Sequence, residues 1–292
     1  MSEWMRVKRS SLQSVADKIK SKAGTEEKMV FPQGWEDTVD AIPSGGGSAV
    51  DTVGMLLSDT LEELISENCT KATRYVCRDK LSLKKIDLPN VTHVYYEAFY
   101  GCLNVNEVNL RNVTWLEAGS TVTGGHFASL GRDAEKPFKL ILSKLPAFGM
   151  TGNNIFSNCG ATLLSLSRIT TISRSIFNNM VNLKIIDLGS LNSIYTKLFV
   201  GDTQLDVIIL RNSNGCALSN VDALNTSTPF ASDGAGGTII CPQALIDSDY
   251  YRTATNWSTL NIKEILPLEG SIYEDLDWAD NFDLSTLEGE VI

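Results

Sequence analysis

Segments of one six-residue pattern recur through the middle of the chain, most often 22 residues apart. Leu83-Lys-Lys-Ile-Asp-Leu88, Val105-Asn-Glu-Val-Asn-Leu110, Leu183-Lys-Ile-Ile-Asp-Leu188 and Leu205-Asp-Val-Ile-Ile-Leu210 all read apolar-x-x-apolar-x-Leu. Pro137-Phe-Lys-Leu-Ile-Leu142 and Ala161-Thr-Leu-Leu-Ser-Leu166 are looser copies. Leu88 to Leu110, Leu166 to Leu188 and Leu188 to Leu210 are each steps of 22 residues, while Leu142 to Leu166 is 24 and Leu110 to Leu142 is 32. A second landmark keeps phase: Phe99, Phe177 and Phe199 each precede their leucine by 11 residues, and Phe156 precedes Leu166 by 10. Cys77 holds the same place before Leu88. Three residues after the aromatic stand Cys102, Cys159, Met180 and Asp202.

The spacing dictates an architecture. An apolar-x-Leu step has period two, so each copy predicts a short strand with one face buried. A single repeat cannot cover its own apolar face, but stacked neighbours can. The expected fold is an α/β repeat: a leucine-rich-repeat solenoid with a parallel sheet of short strands along one side and the phenylalanines on the opposite wall. Stretches such as Tyr96-Glu-Ala-Phe-Tyr-Gly-Cys102 followed by Leu-x-x-Val-x-Leu resemble the BspA-like (Treponema-type) leucine-rich repeats, over about residues 60–266. Gly119–Lys136 and Arg211–Gly237 depart from the pattern as insertions.

Four segments are expected. Leu12, Val15, Ala16 and Ile19 lie on one helix face, and Trp35, Val39 and Ile42 suggest a second short helix. Residues 1–43 therefore read as a small N-terminal helical hairpin that serves as an attachment segment through Leu12, Val15, Ile19, Trp35 and Val39. A Gly/Ser linker follows at 44–48, then the solenoid at 49–266, then an acidic tail at 267–292. Residues 271–292 hold seven carboxylates and no Lys or Arg, interleaved with aromatic and aliphatic residues. That pattern reads either as a frayed tail or as a segment that docks on another surface.

Both ends carry a further resemblance. Ala16-Asp-Lys-Ile-Lys-Ser-Lys-Ala-Gly24, Met29-Val-Phe-Pro-Gln-Gly-Trp35 and the glycine linker look like a segment near the start of many phage and prophage tail and virion proteins. Asp249-Tyr-Tyr-Arg-Thr-Ala-Thr-Asn-Trp-Ser258 looks like the strand and helix that close BspA-like arrays in such proteins. The resemblance implies a virion structural protein of the tail, baseplate or surface fibre, made in the cytoplasm of a host bacterium. Its implied partners are other virion proteins, a host surface receptor or a second copy of itself. The alternative it leaves is a bacterial adhesin or interaction protein of the BspA type.

Chemistry is sparse. The net charge of −10 repels a phosphate backbone, so no nucleic-acid partner is expected. The longest apolar run is Val207–Leu210, far short of the roughly 20 residues a bilayer demands, so no membrane insertion is expected. No apolar run follows the basic residues of the N-terminus to make a secretory signal. The six cysteines include no CxxC, and His93 and His126 stand 33 residues apart. No metal and no cofactor are expected, and the cysteines should be reduced and buried, Cys102 and Cys159 in the core. No carboxylate pair sits beside a nucleophile, so no enzyme is expected. Asp87 and Asp187 should face solvent from their strands, and His126 reads as an incidental loop residue.

The outward strand positions carry the binding expectation. In the first strands they are polar: Lys85 and Asp87, then Glu107 and Asn109. Later they turn apolar, at Ile141, Leu163, Ile185, Val207 and Ile209. Side by side on adjacent strands these five form one stripe, which either binds a partner or is covered by the 211–237 insertion or the aromatic tail.

Overall fold

The computed structural model describes residues 60–117, 125–145, 154–172, 176–195, 197–224 and 228–287, together with the strand Thr52–Val53. The attachment hairpin, with Leu12, Val15, Ile19, Trp35 and Val39, and the 44–48 linker lie outside the described residues.

The described residues form a parallel β-solenoid. Its front wall is built from β1 (Glu63–Ile65), β2 (Lys85–Asp87), β3 (Glu107–Asn109), β4 (Lys139–Ile141), β5 (Leu163–Ser165), β6 (Ile185–Asp187), β7 (Val207–Ile209), β8 (Gly237–Cys241) and β9 (Ile262–Pro267). Equivalent repeat positions pair: Lys85 with Glu107, and Leu163 with Ile185 and then Val207. Strands β1–β3 form one sheet and β4–β9 another. The break falls in the 32-residue step from Leu110 to Leu142, where the 119–136 insertion interrupts the pairing. A narrower side wall runs through Thr52–Val53, Lys71–Ala72, His93–Val94 and Trp115–Leu116, and again through Ser193–Ile194 and Ala217–Leu218.

Alternation sends every second residue into one core. Ile86, Leu88, Leu164, Leu166, Ile186, Leu188, Ile208 and Leu210 are fully enclosed there. Burying a side chain of this kind gains roughly 1.5–3 kcal/mol, and each rung repeats the gain on its neighbour. Opposite the front wall the phenylalanines stack at one per rung: Phe99–Phe127 at 5.9 Å between ring centroids, Phe127–Phe156 at 5.4 Å, Phe156–Phe177 at 5.6 Å and Phe177–Phe199 at 5.3 Å. Phe127 comes from within the 119–136 insertion, so the insertion breaks the front sheet yet still fills its place in the stack.

The wall that carries this stack is not helical. Among the described residues every α-helix lies beyond Pro242, so the expected α/β repeat becomes a β-solenoid with helices at its C-terminal end. The reason is local. Two residues before the ring position the backbone turns left-handed at Tyr75, Glu97, Asn154 and Lys197, and two residues after it at Asp79, Gly101, Ser129, Asn158, Asn179 and Gly201. A left-handed residue costs about 1–2 kcal/mol and ends any right-handed helix, which accounts for the Gly, Asn and Asp at the second position. Backbone bonds to the next rung replace helical ones, as in Cys77 N–H to Ala98 O (2.8 Å), Phe99 to His126 (3.0 Å) and Phe156 to Ile176 (3.0 Å).

The far end of the core is closed by α1 (Gln243–Asp247), α2 (Tyr250–Thr253) and the turn at Trp257–Thr259. Trp257 Nε1 donates to Cys216 O (2.7 Å), and Cys216 N–H donates to the Tyr251 hydroxyl (3.2 Å). The two rings meet edge to face at 5.0 Å. Buried Tyr and Trp fill volume while their polar tips satisfy the last rung's backbone. None of the six cysteines is in a disulfide, and all are buried. Burial pushes the Cys102 and Cys159 thiols up to about 12.

Candidate interaction surface

The outward positions of the front wall form two columns. Over β1–β3 they are open, and polar except at the exposed Ile65. Lys85 pairs with Glu107 at 2.9 Å, Asn109 Nδ2 donates to Asp87 at 2.7 Å, and Arg111 Nε donates to Asn109 at 3.0 Å. Over β4–β8 the outward residues are mainly apolar, at Ile141, Leu163, Ile185, Val207, Ile209 and Ile240, interrupted by Lys139, Ser165, Asp187 and Thr238.

The apolar stripe is not bare. Residues 268–287 fold back across it after β9. Ile141, Leu163, Ile185 and Ile209 are buried in a second cluster with Ile240, Trp278 and Ala279, and Val207 packs against its edge. Tyr273, Phe282, Leu284 and Leu287 complete the cover. Trp278 meets the rings of Tyr273 (4.8 Å) and Phe282 (5.3 Å) edge to face. The five residues expected to bind a partner are thus brought together as one stripe, and the molecule against them is the chain's own C-terminal segment. While that segment is docked, Leu163, Ile185 and Ile209 are covered, whereas Val207 stays half-buried and Ile141 lines a neighbouring cleft.

Polar clamps from successive rungs hold the segment, mostly by its main chain. Lys139 Nζ donates to the carbonyls of Ala279 (2.8 Å), Asp280 (2.9 Å) and Phe282 (3.0 Å). These lie at the C-terminal end of α3 (Trp278–Asn281), where carbonyls lack helical partners and a cation is favoured. Burial beneath the segment lowers the Lys139 pKa. Arg211 reaches the carbonyls of Tyr273 (2.7 Å), Glu274 (3.0 Å) and Asp275 (3.1 Å). Ser167 Oγ donates to Leu276 O (2.8 Å), and Lys184 Nζ to Leu287 O (3.2 Å).

At the centre stands Asp187, and here the solvent-facing expectation is corrected. Asp187 is fully buried. It points outward from the solenoid, as its strand position requires, but the docked segment covers it. It accepts from Arg211 Nη2 (2.7 Å), from Trp278 Nε1 (3.0 Å) and from the Gly189 N–H (3.0 Å). Arg211 is itself nearly enclosed, its side chain 6% exposed. A buried pair without such extra donors would cost more than its Coulomb attraction returns. Asp87, one sheet away and uncovered, is only half-buried.

His126 also departs from expectation. It is fully buried and edge-on to Tyr96 at 6.1 Å. Burial lowers its pKa to about 4, which leaves the ring neutral. Its neighbour Phe127 takes the stack position, and that is the signal the sequence held. Asp202 is buried where other repeats carry Cys or Met. It accepts from Met180 N–H at 2.8 Å, its other oxygen has no partner among the described residues, and burial raises its pKa to about 8. Beside Asp280 and Leu284 of the docked segment a cleft of about 340 Å³ opens over β2–β4, lined also by Lys85, Asp87, Glu107 and Arg111. Among the described residues no group of three His, Cys, Asp or Glu could hold a metal ion, and no helix is long and apolar enough to cross a membrane.

Compared with known families, residues 60–120 and 147–225 match the model of the BspA type leucine rich repeat region, in six copies. Neither the curated proteins nor the solved structures gave a match.

Proposed function

We propose that this BspA-type leucine-rich-repeat protein is a structural protein of a phage particle, in the tail, baseplate or a surface fibre. Its N-terminal segment attaches it there, and its repeats bind a host-surface or neighbouring particle component. The coarser part of this reading, an interaction role carried by the repeats, rests on the family itself. A solenoid presents long, nearly flat walls that suit recognition of an extended partner. The particle context is supported by one observation, the pairing of two terminal segments that resemble those of phage virion proteins: 16–35 with its glycine linker, and 249–258.

Mass spectrometry of purified particles from a producing strain tests the reading. The chain should be present at a fixed ratio to a known tail component, and particles that lack it entirely would refute the proposal. A bacterial surface adhesin is the second reading, favoured by the family name alone. Release of the chain from intact cells by protease shaving, with none in particles, would select it.

A further inference from the structure

The side wall of the first repeats carries a surface that the core does not require. Lys71, His93 and Trp115 are register partners on three successive strands. Their neighbours Ala72 and Val94 supply the buried face. His93, Tyr95 and Trp115 are half-buried and lie against one another, with ring centroids 5.3 Å apart for His93–Trp115 and 5.2 Å for Tyr95–Trp115. Four of the chain's eight tyrosines fall between residues 75 and 100, and three of them, Tyr75, Tyr95 and Tyr100, are at least partly exposed. Tyr and Trp gather at recognition surfaces because one ring offers both an apolar face and a polar edge.

Fixed polar groups border the rings. Glu117 lies two residues beyond Trp115 and accepts from Tyr96 N–H (3.0 Å) and from Arg74 Nε (2.8 Å), with Arg74 Nη2 on its other oxygen. The Arg74 hydrogen bonds hold its carboxyl below the usual carboxylate range. The next guanidinium, Arg78, is answered by Glu97 at 2.6 Å. Both arginines are therefore compensated within the patch, and little field remains to attract a phosphate or a strongly charged peptide. A ligand suited to this surface has apolar faces for the rings and many hydroxyls for the carboxylate and guanidinium. Rungs about 4.8 Å apart offer a new contact at a spacing close to that of sugar rings along an extended chain.

We propose that His93, Tyr95, Trp115, Glu117 and Arg74 form a binding site for a neutral polysaccharide. The C–H face of a pyranose stacks on Trp115, and Glu117 and Arg74 engage its hydroxyls. This inference rests on the reading that the repeats bind a host-surface component, and it names that component's chemistry.

Calorimetric titration of the purified full chain tests it, with linear hexasaccharides of glucose, mannose, galactose and N-acetylglucosamine as probes. At least one should bind. Trp115→Ala should weaken that binding at least about tenfold, and Trp115→Phe should retain part of it. Tyr195→Ala, an exposed tyrosine elsewhere on the side wall, should leave affinity unchanged and serves as the folding control. Failure of all four probes at millimolar concentration overturns the proposal, as does binding that survives both Trp115→Ala and Tyr95→Ala. Retention on cells stripped of polysaccharide, abolished by Trp115→Ala, would make the patch a protein site and equally overturn it. Because the titration uses free protein, its result is separate from whether particles contain the chain.

Discussion

Replacing Trp278 with alanine should release the C-terminal segment while the solenoid stays folded. The indole is buried between Tyr273 and Phe282 over the front-wall stripe, and its Nε1 is one of the donors to Asp187. Truncating a buried Trp typically costs about 3–5 kcal/mol. Leaving Asp187 one donor short adds a share of the roughly 1.5–3 kcal/mol carried by a hydrogen bond to a charged group. The loss falls on a segment that meets the solenoid on one face only, so it should appear as local opening and not as global unfolding. Hydrogen exchange should accelerate across residues 268–287 and stay slow at Ile186, Ile208 and Leu210. A hydrophobic dye should bind the uncovered Ile141, Leu163, Ile185 and Ile209. Trp278→Phe keeps most of the apolar cover and loses the Asp187 bond, so it should open less. Unfolding of the whole solenoid in step with the segment would refute the reasoning, because it would make the segment part of the core's cooperative unit.

Two further outcomes are expected. Asp202 has a folded-state pKa of about 8 and an ordinary unfolded one, so between about pH 4 and 8 the unfolded chain binds fewer protons and stability should fall as pH rises. Asp202→Asn should abolish most of that slope and be about 1–3 kcal/mol more stable near pH 8; denaturant melts at pH 5 and 8 check this, and a slope unchanged in the variant would contradict it. All six thiols should resist a thiol reagent in the native protein at pH 8 and react after denaturation, since each is buried and burial holds Cys102, Cys159, Cys216 and Cys241 near 12; fast labelling of Cys159 in the native state would show that the rung around it opens.

Much of the architecture was legible because a period is local information. The 22-residue step and the apolar-x-Leu alternation predict which residues share a rung and which side of the strand they take. The structure keeps that register, with Ile186 and Leu188 inside and Ile185 and Asp187 outside. The Phe-x-Gly/Asn motif likewise encodes the left-handed turns of the back wall, although the helical expectation passed over it. What covers a face is decided elsewhere. Lys139 and Ala279 are 140 residues apart and Asp187 and Trp278 are 91 apart, and no periodicity links such pairs. The stripe could be read as apolar and outward, yet only the folded chain brings Trp278 over it and encloses Asp187 with Arg211. Phe127 and His126 escaped for a related reason: an insertion shifts the count, while stacking depends on distance across rungs and not on distance along the chain. Sequence by itself determined the repeat, its phase and the sidedness of the strands in its six copies, because backbone alternation translates residue order directly into direction. Tertiary structure alone decided which outward face is covered and which is left open, because burial belongs to a residue's neighbours in space.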